Sequence, residues 1–207
     1  MTAPEQTIAT VRFDAAALCP RRLNHAAFIA KDAADTVDFY TRVMGMEFVS
    51  GLVDDRVPST GDDFPYFHIF FAMEDGSLLA FFVAPGLPEQ IKQHPAFDIF
   101  NHFAMHCEST DEVRAWKERL ESHGVDVLGP IDHNGELYSI YFYDPNGIRL
   151  EMSAVVDPHL FARPEEARAI LKDWTGTVEA ARRQGRDVSE ALVEHIRNTR
   201  SREVKRG

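Results

Sequence analysis

The sequence predicts an α+β protein: two βαβββ modules forming a pair of half-barrels that face a shared cleft, with a C-terminal helical appendage. Three observations carry this. The order strand, helix, strand, strand, strand occurs twice, and the two copies match in detail at their first strands and at the turn before their last. Beyond residue 155 the apolar periodicity is helical only, which sets the tail apart from both copies.

Residues 1–20, with Pro4 in a polar opening, read as an N-terminal arm. The first module spans 21–85. From Leu23, LNHAAFIAKD is a short apolar run of strand type, and AADTVDFYTRVMGM places Val37, Tyr40, Val43 and Met44 at helical spacing. MEFVSGLV, FPYFHIFFAME and SLLAFFVAP follow as strands, the last two separated by the turn residues Glu74, Asp75 and Gly76. Residues 86–99 contain Gly86, Pro88 and Pro95 and read as a linker. The second module, 100–154, repeats the order with FNHFAMHCES, a helix TDEVRAWKERLESHG capped by Thr110, then VDVLGPI, LYSIYFYD and IRLEMSA. Leu23-Asn24-His25 matches Phe100-Asn101-His102, and Asp75-Gly76 matches Asn146-Gly147.

In the extension, 155–207, Pro164 opens a helix whose Ala167, Ile170, Leu171, Trp174, Val178 and Ala181 form one apolar stripe. A second helix begins near Asp187, with Val188, Ala191, Leu192 and Ile196. Such a stripe suits packing on the body or on a neighbouring subunit, so a homo-oligomer, dimer or higher, is expected.

A net charge of −11 and a pI near 5.2 argue against nucleic acid or an anionic membrane as partner, because both need clustered Lys and Arg. No apolar run approaches the roughly 20 residues of a membrane helix. The first 20 residues lack a signal peptide's basic start and apolar centre, so a cytoplasmic location is expected. Cys19 and Cys107 are too few for a thiolate cluster, and any metal must be held by imidazole and carboxylate.

A lone strand histidine is more often packed or exposed than a ligand. The duplication separates His25 and His102 from the rest, since they occupy the same place in each copy and are expected to enter the cleft from opposite sides. Glu151 lies between Leu150 and Met152 in a strand expected to be buried, where an unpartnered carboxylate is costly. The bland alternative is a solvent-facing Glu in an edge strand. Two neutral imidazoles and one carboxylate form the facial set of ferrous oxygenases, which leaves adjacent positions for substrate and dioxygen. Fe(II) is the expected ion, with Mn(II) as the alternative.

Residues 23–154, with their paired βαβββ units, resemble the vicinal oxygen chelate superfamily, which includes glyoxalase, epimerases, antibiotic-resistance proteins and extradiol dioxygenases. Ile131-Asp132-His133, then six residues, then the run from Ile140 through Tyr141 to Gly147, and finally Glu151 together resemble the signature of one-domain type I extradiol ring-cleavage dioxygenases. The resemblance implies Glu151 as carboxylate ligand, Tyr141 as a hydroxyl facing the substrate and His133 as an imidazole beside it. Taken alone, Tyr141 reads as a core aromatic and His133 as a loop residue. The activity implied is Fe(II)-dependent cleavage of a small catechol-type aromatic diol next to its hydroxyls, with O2 as co-substrate.

In the first module the position matching Glu151 is Ala80, from which glyoxalase-like and epimerase-like members take a fourth ligand. Its lack of a donor favours the oxygenase over a glyoxalase-like isomerase or lyase. A non-catalytic binding protein is the other alternative, since 15 Phe and 5 Tyr suit an aromatic pocket equally. The larger extradiol enzymes carry an acid/base histidine where Ser77 stands here. His68 is the expected substitute, lying two residues before Phe70, the counterpart of Tyr141, and so on the same strand face. Its bland reading is a polar residue satisfying a backbone group. His106 shares a face with His102 but lies roughly 13 Å along the strand, at the rim. His94, His123, His159 and His195 read as surface residues.

Overall fold

The computed structural model describes residues 22–86 and 95–204, so the expected arm and most of the linker lie outside it. The chain divides into two compact units, one reaching Asp157 and one beginning at Pro158. The first unit holds both modules. Its opening module comprises β1 (His25–Ala30), α1 (Ala33–Asp38) continued by a π-helical turn (Phe39–Val43), β2 (Glu47–Arg56), β3 (Asp63–Ala72) and β4 (Leu78–Val83). Next come α2 (Pro95–Phe100), β5 (Phe103–Cys107), α3 (Thr110–Ser122), β6 (Leu128–Asp132), β7 (Leu137–Tyr143) and β8 (Arg149–Val155). Two four-stranded sheets result, ordered β1-β4-β3-β2 and β5-β8-β7-β6.

The duplication extends to the register. Ala27 lies across from Ala80 and Ala80 from Phe70, just as Ala104 lies across from Glu151 and Glu151 from Tyr141. Gly76 and Gly147 take φ of 79° and 87° in the matched turns, a left-handed conformation that glycine adopts without steric penalty.

Two local expectations are corrected. Pro95–Phe100 is helical rather than linker and strand, and β5 starts only at Phe103. Proline's fixed φ suits the first position of a helix, which overrides the reading of Pro95 as a breaker. The cap of α3 is Ser109, not Thr110: Ser109 is extended (φ −154°, ψ 163°) and its Oγ accepts from the Glu112 N–H at 3.2 Å, while Thr110 is already helical.

The helices cover one face of the sheets. Tyr40 packs on Phe71 and Phe81 at ring separations of 5.1 and 4.8 Å, and Val113 and Leu120 of α3 are fully buried. Side chains alternate along a strand, so Phe28 and Ala30 point into this core while His25, Ala27 and Ile29 are exposed on the other face. In β5, Met105 and Cys107 are buried and Ala104 and His106 exposed. The face bearing the candidate site is thus the one the helices leave open.

Buried and half-buried polar bonds join the modules. The Tyr40 hydroxyl donates to Asp144 Oδ2 at 3.1 Å, the Lys31 N–H to Asn146 Oδ1 at 2.9 Å, and Arg119 Nε to the Val43 carbonyl at 2.7 Å. Burial pushes the Tyr40 phenol well above its ordinary range, with the Asp144 carboxylate adding to the effect, so Tyr40 is a fixed donor.

In the second unit, α4 (Pro164–Arg183) and α5 (Val188–Val204) pack together, with Ala181 and Ala191 buried between them. Ile170, Leu171 and Trp174 of the expected stripe are exposed. Among the described residues, no helix is long and apolar enough to cross a membrane.

Replacing Tyr40 with Phe removes one buried donor from Asp144 and is expected to cost about 1–3 kcal/mol in urea unfolding. Burial, and then the Glu112 charge, push the Cys107 thiol up to about 12. In a Cys19→Ser background a thiol reagent at pH 8 should therefore label Cys107 only after denaturation.

Candidate functional site

β8 is an interior strand between β5 and β7, so Glu151 is not the residue of an exposed edge. It is 4% exposed. Two groups reach its carboxylate: His102 Nε2 lies 2.7 Å from Oε2, and the Tyr141 hydroxyl donates to Oε1 at 3.2 Å. His133, in the turn after β6, places its Nε2 3.0 Å from the same hydroxyl. The structure therefore brings four of the six expected site residues together: His102, Glu151, Tyr141 and His133.

Proton counting gives the cluster its chemistry. His102 Nδ1 lies 2.9 Å from the Phe100 carbonyl, which can only accept, so Nδ1 carries the hydrogen. Nε2 then faces the carboxylate either with its lone pair or, in the imidazolium, with a second N–H. Two acceptors 2.7 Å apart are held apart from repulsion only by a proton or a metal cation between them. A carbonyl behind the distal ring nitrogen is also the usual setting of a ligating histidine. His25 is placed similarly, with Nδ1 2.7 Å from the Asn24 side-chain oxygen.

Tyr141 has a single hydroxyl proton. Donated to Glu151, it leaves the phenol oxygen to accept from His133 Nε2–H. Burial, the Glu151 charge and the bond to Glu151 raise the Tyr141 pKa, against smaller opposing effects of Ser139 and Arg149, so the phenol stays protonated at neutral pH.

His25 and His68 stand together on the first sheet. Their ring centres are 6.1 Å apart, with Phe70 5.9 Å from His25. His68 stacks on Phe82 at 3.7 Å and lies 4.1 Å from Phe70. It is 9% exposed, and among the described residues its Nε2 has no hydrogen-bond partner, so that atom satisfies no backbone group there. Burial, and then the nearby His25, lower its pKa. Among the described residues, no three His, Cys, Asp or Glu side chains gather closely enough to hold one ion. Of the three expected ligands the chain joins His102 to Glu151, and His25 stands apart.

Residues 22–152 match the family model described as Glyoxalase/Bleomycin resistance protein/Dioxygenase superfamily. The chain belongs to this superfamily. FosB of Bacillus licheniformis, a metallothiol transferase, is 28% identical over 131 residues, 63% of this chain and 73% of FosB. MhqA of Bacillus subtilis, named as a candidate ring-cleaving dioxygenase, is 24% identical over 156 residues, 74% of this chain. This chain spans only 46% of MhqA's length. A glyoxylase/bleomycin resistance protein/dioxygenase domain from Frankia sp. shares the fold, with a TM-score of 0.54 at 14% identity over 66% of this chain and 99% of the domain.

Within this superfamily fold, several positions lie outside the cluster. Ala80 is fully buried and brings no donor. Ser77 donates to Asp75 Oδ1 at 2.6 Å and fastens the β3–β4 turn. His106 is exposed, 3.3 Å from Glu108, while His123 bonds the Arg119 carbonyl at a helix end and His195 pairs with Asp173. His94 lies outside the described residues.

Sequence reasoning missed Arg149. Its guanidinium carbon lies 4.3 Å over the Tyr141 ring centre, and its Nη1 donates to the Ile99 carbonyl. The alternation of β8 carried the signal, since residues 149 and 151 share a face.

The proton arrangement is open to direct observation. In long-range ¹H–¹⁵N spectra of the metal-free protein at pH 8, His102 should appear as the Nδ1–H tautomer, and an Nε2–H tautomer would contradict the reading of its lone pair.

Proposed function

We propose that the chain is an Fe(II)-dependent extradiol dioxygenase that opens a small catechol-type diol with O2. The observation that carries this is His102 Nε2 set 2.7 Å from the buried Glu151 carboxylate, with Nδ1 held by the Phe100 carbonyl and a Tyr141–His133 pair alongside. These donors fit a divalent cation: membership in the superfamily supports a metal-dependent activity, and one neutral imidazole with one carboxylate is part of the ferrous facial set. Fe(II) suits the oxygenase, and Mn(II) fits the same donors. Similarity to MhqA supports the dioxygenase, and Ala80, which offers no fourth ligand, weighs against a glyoxalase-like isomerase.

The third ligand is His25. Within one chain it stands apart, while the faces that carry His25 and His102 are both exposed. We assign its delivery to a second copy of the chain, whose β1 face meets the β5–β8 face of the first, so the active species is a homo-oligomer.

Bound Fe(II) would supply the path by which electrons pass from the diol ring to dioxygen. The protein's own groups do the rest. Tyr141, kept protonated, turns its single proton from Glu151 to a substrate oxygen when substrate binds, and His133 stays hydrogen-bonded to the phenol oxygen behind it. His68, held neutral by burial and with Nε2 unpartnered, accepts a hydroxyl proton from the diol. Phe70 and Phe82 wall that imidazole from water.

Anaerobic reconstitution with Fe(II), followed by air and a panel of catechols, should give oxygen uptake and a yellow ring-opened product, both lost in Glu151→Ala. Activity with nickel, zinc or cobalt and no oxygen uptake would move the protein to the isomerase reading. Mixing inactive His25→Ala with inactive Glu151→Ala should restore turnover, because a mixed pair rebuilds one intact site. Failure to restore it would place His25 in the same chain as its partner ligands.

A further inference from the structure

We infer that the substrate carries an anionic group, a carboxylate or its chemical equivalent, and that Arg149 binds it. This rests on the diol-cleaving reading of the same site and narrows its substrate class.

Arg149 and Glu151 alternate in β8, so their side chains leave the same face about 7 Å apart. Between them, across the strand pair, lies Tyr141, with its hydroxyl on Glu151 and its ring under the Arg149 guanidinium. The cation is thus one aromatic ring away from the candidate metal ligands. It also borders a groove whose walls combine Ile99, Leu128 and Tyr143 with two carboxylates, Glu121 and Asp126, and Arg149 is the cation among the lining residues. A planar diol whose two oxygens met an ion held by His102 and Glu151 would lie beside Tyr141, with its far end toward Arg149.

The chemistry of that end is set by charge. The chain carries a net charge of −11, which opposes the approach of any anion unless a cation is fixed locally. Arg149 is fixed by one ring face and one carbonyl, and a guanidinium has five N–H donors in a planar fork that matches a carboxylate. A neutral diol needs no such group. A guanidinium serving only to hold Tyr141 would affect every diol alike, which separates the two roles.

The test uses the full-length Fe(II)-loaded protein and the variants Arg149→Gln and Arg149→Lys. kcat/KM is measured for catechol and 4-methylcatechol against 3,4-dihydroxybenzoate and 3,4-dihydroxyphenylacetate, and benzoate binding is measured by calorimetry on the same proteins. The expected result is a preference of about tenfold or more for the carboxylated diols, collapsing in Arg149→Gln, with benzoate binding weakened to match. Arg149→Lys should retain part of the preference, since it keeps the charge but not the fork. Equal turnover of charged and neutral diols, or an equal loss of both in Arg149→Gln, would overturn the inference and leave diol cleavage standing. Benzoate binding that depends on Arg149, with no diol opened by any variant, would sink the dioxygenase and keep the anion site. Absence of both diol turnover and benzoate binding would overturn the two together.

Discussion

The site depends on one constraint: a carboxylate in the middle of a sheet, nearly out of water, opposite an imidazole whose Nε2 faces it at 2.7 Å. A buried carboxylate is tolerated only when paired and hydrogen-bonded, and Glu151 receives one phenol proton from Tyr141. That bond reaches Oε1, and Oε2 faces His102 Nε2. The proton on His102 Nδ1 is fixed from behind by the Phe100 carbonyl, so a change of tautomer cannot supply a hydrogen to Oε2, whereas a proton added at Nε2 or a bound cation can. A cation at that point resolves both demands at once.

The fold supplies this constraint by duplication followed by divergence. Both modules share a strand register, and both turn one sheet face to the helices and leave the other open. Only the second copy kept a carboxylate at the shared position. Where it has Glu151 and Tyr141, the first has Ala80 and Phe70; where it has Ser139 bonded to Ser153, the first has His68 stacked on Phe82. The two half-sites are therefore chemically unlike: one is charged and rich in hydrogen bonds, the other aromatic with a free imidazole nitrogen. Such a pair suits an apolar ring bearing polar edges better than it suits a wholly polar ligand.

Element order and the matched positions were legible in the sequence because strand and helix periods differ and because a repeat checks itself. Burial of Glu151 followed from its apolar neighbours in IRLEM. The helix at Pro95 was hidden because a proline that breaks one helix starts another, and the shift from Thr110 to Ser109 as cap turns on backbone angles that neighbouring Ser and Thr do not reveal. The partner of Arg149 required knowing which strand lies alongside β8. His25 is the instructive case: symmetry of position in the two copies established its equivalence to His102, but how the copies are set against one another in a single chain depends on contacts such as Tyr40 with Asp144, whose residues lie 104 positions apart.

The account is tested most directly by diffraction from crystals of the Fe(II)-loaded protein grown without oxygen, with data collected on both sides of the iron absorption edge. One anomalous peak per chain is expected, bonded to His102 Nε2, Glu151 Oε2 and the Nε2 of a His25. A peak elsewhere, or a His102–Glu151 pair that keeps its direct contact in iron-loaded crystals, would contradict it.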